Sequence, residues 1–185
     1  LVLTSKMVEV AQTHNLNLLH VHYAIPHASA AVNAKQILAE AGLHVPVVTT
    51  LHGTDITLLG KDPSFKPVIT HAINASDAVT AVSQSLKADT QRLFGVTRDI
   101  DVVHNFICPK HFDRPADLEF RKQLSPSGAP ILCHISNFRP VKRIDNVVKV
   151  FAKVRAEREC TLLMVGDGPE RGNAEALSRE LGVAE

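Results

Sequence analysis

The sequence predicts an α/β protein built from doubly wound parallel sheets, and three observations carry that prediction. Apolar runs of strand length alternate along the chain with segments of helical period. The runs are apolar almost throughout, as in strands buried on both faces. The alternation breaks once, in a loop-rich interval that holds Pro109, Pro115, Pro126 and Pro130. So long an interval is unusual inside one compact domain, and it reads as the crossing between two of them.

Taken in order, a helical stretch over 4–14 enters a first strand at 16–23 (LNLLHVHY). A helix over 28–41 leads to a strand at 45–51 (VPVVTTL), a helix over 65–75 to a strand at 78–82 (AVTAV), and a helix over 84–94 to a strand at 100–104 (IDVVH). The proline-rich interval carries a short polar helical stretch near 117–124. Beyond it a strand at 131–136 (ILCHIS) precedes a helix over 140–158, and a strand at 161–165 (TLLMV) precedes a helix over 169–182. Pro169 suits the first turn of that last helix, where its missing N–H has no partner to lose. The expected division is a first domain over 1–112, a linker over 113–130 and a second domain over 131–185. Two strands fall short of the usual ~5–6 of a sheet, so the second domain is expected to be part of a larger one. The opening LVLTSKMVEV reads as the interior of an element and lacks a signal peptide's basic leader.

Composition removes several classes. Of the 185 residues 45% are apolar and 21% charged, which excludes a disordered chain. No apolar run approaches the ~18 residues of a membrane span. Twenty basic against 19 acidic residues leave a net charge of +1, too balanced for a nucleic-acid footprint. Cys108, Cys133 and Cys160 are odd in number, far apart and without a CxxC pair. They fit reduced thiols in a cytoplasmic protein better than a zinc or disulfide framework.

Four clusters could carry chemistry. HVHYAIPHA places His20, His22, Tyr23 and His27 at the carboxyl end of the first strand, the end that faces the ligand crevice in open α/β sheets. His20 and His22 share one strand face, the spacing of paired metal ligands, and Asp55 could add a carboxylate; the alternative is histidines that hydrogen-bond locally. TTLHGTD crowds Thr50, His52, Thr54 and Asp55 around the turn at Gly53. That pattern suits a polar ligand or an Asx-type turn that begins the next helix. HISNFRPVKRID sets Arg139, Lys142 and Arg143 beside a helix start, either an anion site or a basic solvated face. VGDGPER puts Gly166 and Gly168 in a strand-to-helix turn that is neither GxGxxG nor a P-loop.

In this order, LHVHYAIPHA, TTLHGTDIT, TAVSQSL, the HNF of VVHNF, ISNFRPVKR and LLMVGDGPE resemble the retaining glycosyltransferases of family 4, which have the GT-B fold of two Rossmann-like domains. HYAIPHA and HGTDIT point to the subgroup of bacillithiol biosynthesis. The resemblance implies transfer of N-acetylglucosamine from UDP-N-acetylglucosamine to the hydroxyl of L-malate, without a cofactor or metal. It implies a catalytic set of His52, Lys142 and Arg139, with Asn137, Arg139, Lys142, Gly166, Asp167 and Gly168 around the donor and Tyr23, Thr50 and His52 around the acceptor. Asn137 stands where the family usually has an arginine, and Arg139 is its substitute. The stretch from His52 to Gln91 has no arginine, its cations being Lys61, Lys66 and Lys87, whereas the subgroup usually brings one to malate from the helix after HGTD. A glycine-rich loop is expected before residue 1 and an E-x7-E segment after residue 185, and the 185-residue chain by itself is expected not to catalyse transfer. A metal-dependent hydrolase using His20, His22 and His52, or a family 4 transferase with another acceptor, is the alternative. No nucleic-acid partner is implied, and the sequence leaves a homo-oligomer open.

Overall fold

The computed structural model describes residues 1–57 and 62–184. The chain divides into two compact units, Leu1–Ile107 and Cys108–Glu185.

In the first unit α1 (Val2–Thr13) runs into β1 (Leu19–His22), and a π-helical turn over Ala24–Ala28 passes into α2 (Ser29–Glu40). Then come β2 (Val47–Leu51), the single turn α3 (Thr54–Thr57), a 3-10 turn over Pro63–Phe65, and α4 (Lys66–Ala75). β3 (Ala78–Ala81), α5 (Gln84–Phe94) and β4 (Asp101–Val102) complete the unit. The ends of α5 show why these boundaries hold. Ser83 Oγ accepts the Leu86 amide at 3.1 Å, and the helix stops at Gly95, whose φ of +61° is left-handed. All four strands pair in parallel in the order β1-β2-β3-β4.

That order decides how the sheet is covered. Successive right-handed crossovers made in one direction place their helices on one and the same face. Leu19, Val21, Val47, Leu51, Val79 and Ala81 accordingly turn inward and join Ala31, Leu38, Ile69, Ile73, Leu86 and Phe94 in the core. Each fully buried Leu or Ile there contributes roughly 1.5–3 kcal/mol. On the opposite face His20 and His22 are exposed, and Val48, Thr50, Thr80 and Val82 are half-buried. The parallel α/β architecture is the expected one, whereas cover on both faces is not found among the described residues of this unit.

The second unit contains α6 (Pro109–Phe112), α7 (Leu118–Leu124), β5 (Ile131–Ile135), a 3-10 turn over Pro140–Lys142, α8 (Ile144–Glu157), β6 (Thr161–Val165) and α9 (Arg171–Glu180). β5 and β6 are parallel, with Ile131 opposite Thr161 and Ile135 opposite Val165. Phe138, Ile144, Val148 and Ala174 form a small core with Met164, Leu177 and Val183 packed against it. Leu132, Ile135 and Val165 remain exposed on the strands. Among the described residues no helix is long and apolar enough to cross a membrane.

Candidate active site

The histidines of β1 lie on the open sheet face, and strand register determines whom they meet. His20 is opposite Val48 and His22 opposite Thr50. His20 Nε2 lies 2.9 Å from Thr50 Oγ1, which lies 2.8 Å from Thr80 Oγ1, so a polar chain crosses three strands. One step nearer the carboxyl ends, His22 Nδ1 and His52 Nε2 are 2.7 Å apart. His27 Nδ1 donates to the His22 carbonyl at 2.7 Å. Tyr23 leaves β1 with φ +76°, donates its amide to the Thr50 carbonyl at 2.9 Å, and sets its ring centroid 5.1 Å from that of His52.

Asp55 holds the two turns together. It is 1% exposed, and its carboxylate accepts the Ala24 amide at 2.6 Å and the Gly53 amide at 3.3 Å. Burial pushes its pKa up, against the downward pull of those amides and of His52. Burial, and then the neighbouring His22, hold His52 below the ordinary imidazole value, with Asp55 pulling it back up. Asp55 is therefore a structural clamp and not a ligand-facing group, which corrects the reading of the HGTD turn. The same geometry bears on the metal alternative. His20, His22 and His52 are engaged with Thr50 and with each other, Asp55 with backbone amides, and no three His, Cys, Asp or Glu side chains among the described residues are grouped to hold a metal.

A groove of about 390 Å³ runs along this face, lined by His20, His22, Thr50, His52 and Thr80 and closed by His104, Asn105 and Phe106. The structure brings Thr50 and His52 into the groove, with Tyr23 beside His52. Thr54 is exposed on α3. Sequence reasoning missed Thr80, His104 and Asn105 as groove residues. The signal was available, because HNF follows the fourth strand as HYAIPHA and HGTD follow the first two. His104 is anchored by its Nδ1, which donates to the Val82 carbonyl at 3.1 Å. Lys61 lies outside the described residues.

The other predicted residues gather in the second unit. Phe138 N donates to the Asp167 carbonyl and Glu170 N to the Phe138 carbonyl, both at 2.9 Å, so the loops after β5 and β6 lie against each other. Glycine is required there: at Gly168 (φ +153°) a Cβ would stand 2.6 Å from the Phe138 oxygen and 2.8 Å from its nitrogen. At Gly166 a Cβ would overlap the Ser136 carbonyl. The contact brings Asn137, Arg139 and Lys142 onto the same loop pair as Gly166, Asp167 and Gly168, and all but the half-buried Gly168 are exposed. Lys142 closes a turn whose amide donates to the Arg139 carbonyl at 2.8 Å, directly before α8. His52 thus belongs to the first unit, and Arg139 and Lys142 to the second.

Two successive units of parallel strands, with polar loops at their carboxyl ends, match the GT-B fold of solved glycosyltransferases. Solved structures agree. Anabaena HepE in complex with UDP-glucose matches with a TM-score of 0.75 at 21% identity, over 97% of this chain and 49% of that one. A glycosyltransferase from Rickettsia africae matches with a TM-score of 0.71 at 20% identity, over 98% of this chain and 48% of that one. The chain belongs to glycosyltransferase family 4: the model of that family matches residues 1–111, and that of glycosyl transferases group 1 matches residues 116–185. It is 51% identical over 171 residues to the N-acetyl-alpha-D-glucosaminyl L-malate synthase of Bacillus anthracis, across 92% of this chain and 44% of the relative. It is 28% identical over 116 residues to the 2-deoxystreptamine glucosyltransferase of Streptomyces kanamyceticus, across 60% of this chain and 30% of the relative. The chain thus spans less than half the length of the curated relatives it matches.

Proposed function

We propose that the protein transfers N-acetylglucosamine from UDP-N-acetylglucosamine to the hydroxyl of L-malate with retention of anomeric configuration. The observation that carries this reading is the 51% identity to the Bacillus anthracis synthase across 92% of this chain. The loop pair of the second unit supports a role in donor binding, because Arg139 and Lys142 stand exposed before α8, where cations and a helix start favour a diphosphate. Asn137, Gly166, Asp167 and Gly168 complete that donor set. Tyr23, Thr50 and His52 take the acceptor and the transferred sugar in the first unit.

In the reaction the malate hydroxyl oxygen forms a bond to the anomeric carbon on the face that UDP leaves. The bond from that carbon to the diphosphate oxygen breaks, and UDP departs with the electron pair. The hydroxyl proton passes to the leaving phosphate. Arg139 and Lys142 stabilise the negative charge that develops on the diphosphate, so the step needs no resident metal. The proposed organisation is a first domain over 1–112, a linker over 113–130 and a second domain over 131–185. Three free cysteines suit a reducing, cytoplasmic setting.

The test is UDP release and product mass with the full-length protein, UDP-N-acetylglucosamine and L-malate, with other hydroxy acids and 2-deoxystreptamine as competing acceptors. A glycosylated malate is the expected product. UDP release with another acceptor but not with malate would retain the transferase and reject the acceptor.

A further inference from the structure

His22 and His52 meet nitrogen to nitrogen at 2.7 Å, with ring centroids 5.0 Å apart. At that separation one hydrogen must lie between the two nitrogens, since two would collide and none would oppose lone pairs. Each neutral imidazole carries one N–H, so the shared edge fixes the outer nitrogens as well. With the hydrogen on His22 Nδ1, His52 is protonated at its outer Nδ1 and His22 Nε2 is bare. With it on His52 Nε2, the outer nitrogens exchange roles. Two joint tautomers remain of four.

His22 is itself well held. It is paired in register with Thr50, and its carbonyl accepts from His27. His20 is bonded to Thr50 and does not compete for the pair. An active-site imidazole is commonly oriented by a carboxylate, but the nearby carboxylate, Asp55, is committed to the Ala24 and Gly53 amides. Tyr23 flanks the His52 ring.

We infer that His22 is a positioning residue for His52: it holds the ring in place and couples the two tautomers, so that a substrate group engaging His52 Nδ1 sets the proton on both rings at once. The consequence for turnover rests on the transferase reading above; the pairing itself does not.

Histidine-selective 15N NMR of the full-length protein, with steady-state kinetics, tests this in two arms. In the parent, His22 and His52 show the same tautomer, both Nδ1–H or both Nε2–H, in equal proportion. In His22→Phe, which keeps a ring, His52 relaxes to the mixture of an unpaired imidazole, and kcat falls about tenfold while the acceptor KM changes less than about threefold. His22→Asn places a polar atom where Nδ1 stood and keeps kcat within about threefold of the parent, whereas His22→Gln, with its polar atoms one bond farther out, stays near the Phe level. An unchanged His52 tautomer in His22→Phe, or equal losses in the Phe and Asn variants, overturns the inference. A parent that transfers nothing to malate counts against the transferase reading alone, and the NMR arm still judges the pair.

Discussion

Replacing Asp55 separates two opposing contributions to the first unit. Its buried carboxylate accepts the Ala24 amide at 2.6 Å and the Gly53 amide at 3.3 Å, while burial raises its pKa against those bonds. Asp55→Ala leaves the amide of Ala24, a residue with no exposed surface, without an acceptor. An orphaned buried donor costs roughly 1–3 kcal/mol. The longer bond from half-buried Gly53 adds less than about 1 kcal/mol, because water reaches that amide. Relief from burying a carboxylate offsets part of this, and the net loss is about 2–3 kcal/mol. For a unit of this size that lowers Tm by about 10–20 °C. Asp55→Asn keeps an oxygen for Ala24 and removes the charge, so it costs about 1 kcal/mol or less at neutral pH. Because the folded pKa of Asp55 is raised, its contribution is fully present below the ordinary carboxylate value and is lost as pH rises through the raised one. The gap between parent and Asp55→Asn should therefore be wider at a pH below the ordinary carboxylate value than at neutral pH. Urea unfolding of the three proteins at both pH values measures these differences. An Asp55→Ala protein within about 0.5 kcal/mol of the parent, or a parent–Asn gap that widens with pH, refutes the clamp.

Three further outcomes are expected. Gly168→Ala forces a Cβ to within 2.6 Å of the Phe138 oxygen and should destabilise the second unit by more than about 2 kcal/mol in the same unfolding assay; a Tm equal to the parent's would show that the loops part freely. Lys142→Ala should lower kcat about a hundredfold, more than it weakens donor binding, and a normal kcat with only a raised donor KM would reduce Lys142 to a binding residue. Burial and His22 hold the pKa of His52 down, so the acid limb of kcat from His52 should lie below the ordinary imidazole value. Any stability owed to neutral His52 is likewise present above that value and lost as pH falls through the lowered one; an acid limb above pH 6.5 contradicts the assignment.

Much of the architecture was legible because strand and helix periods are local. The strand read at 45–51 is observed as Val47–Leu51, and the helix read at 84–94 as Gln84–Phe94. The shared face of His20 and His22 followed from the period of two. What escaped were properties set by distant residues. Asp55 looked like a ligand group because its acceptor role depends on Ala24, 31 positions away, and on the register that brings β1 beside β2. The pairing of His22 with His52 depends on that same register. The open face of the sheet was hidden because the strands read as apolar on both sides, while strand order is not written in any one of them.

Strand register also shows how the histidines of β1 are satisfied. In a sheet covered on both faces, His20 and His22 would be buried, and each ring would need partners in a dry interior. Among the described residues that face is accessible, and the polar chain from His20 through Thr50 to Thr80 is made by one side-chain bond per step, with both threonines half-buried. At the carboxyl end the same face delivers His22 to His52, and Asp55, buried on the other side of the turn, keeps Gly53 and Ala24 from drifting apart. Aliphatic side chains and titratable rings thus occupy opposite faces of the sheet among the described residues, with the Asp55 clamp in the turn beyond β2. Substitutions of Val47 or Leu51 should therefore act through unfolding, and substitutions of His22 or His52 through turnover.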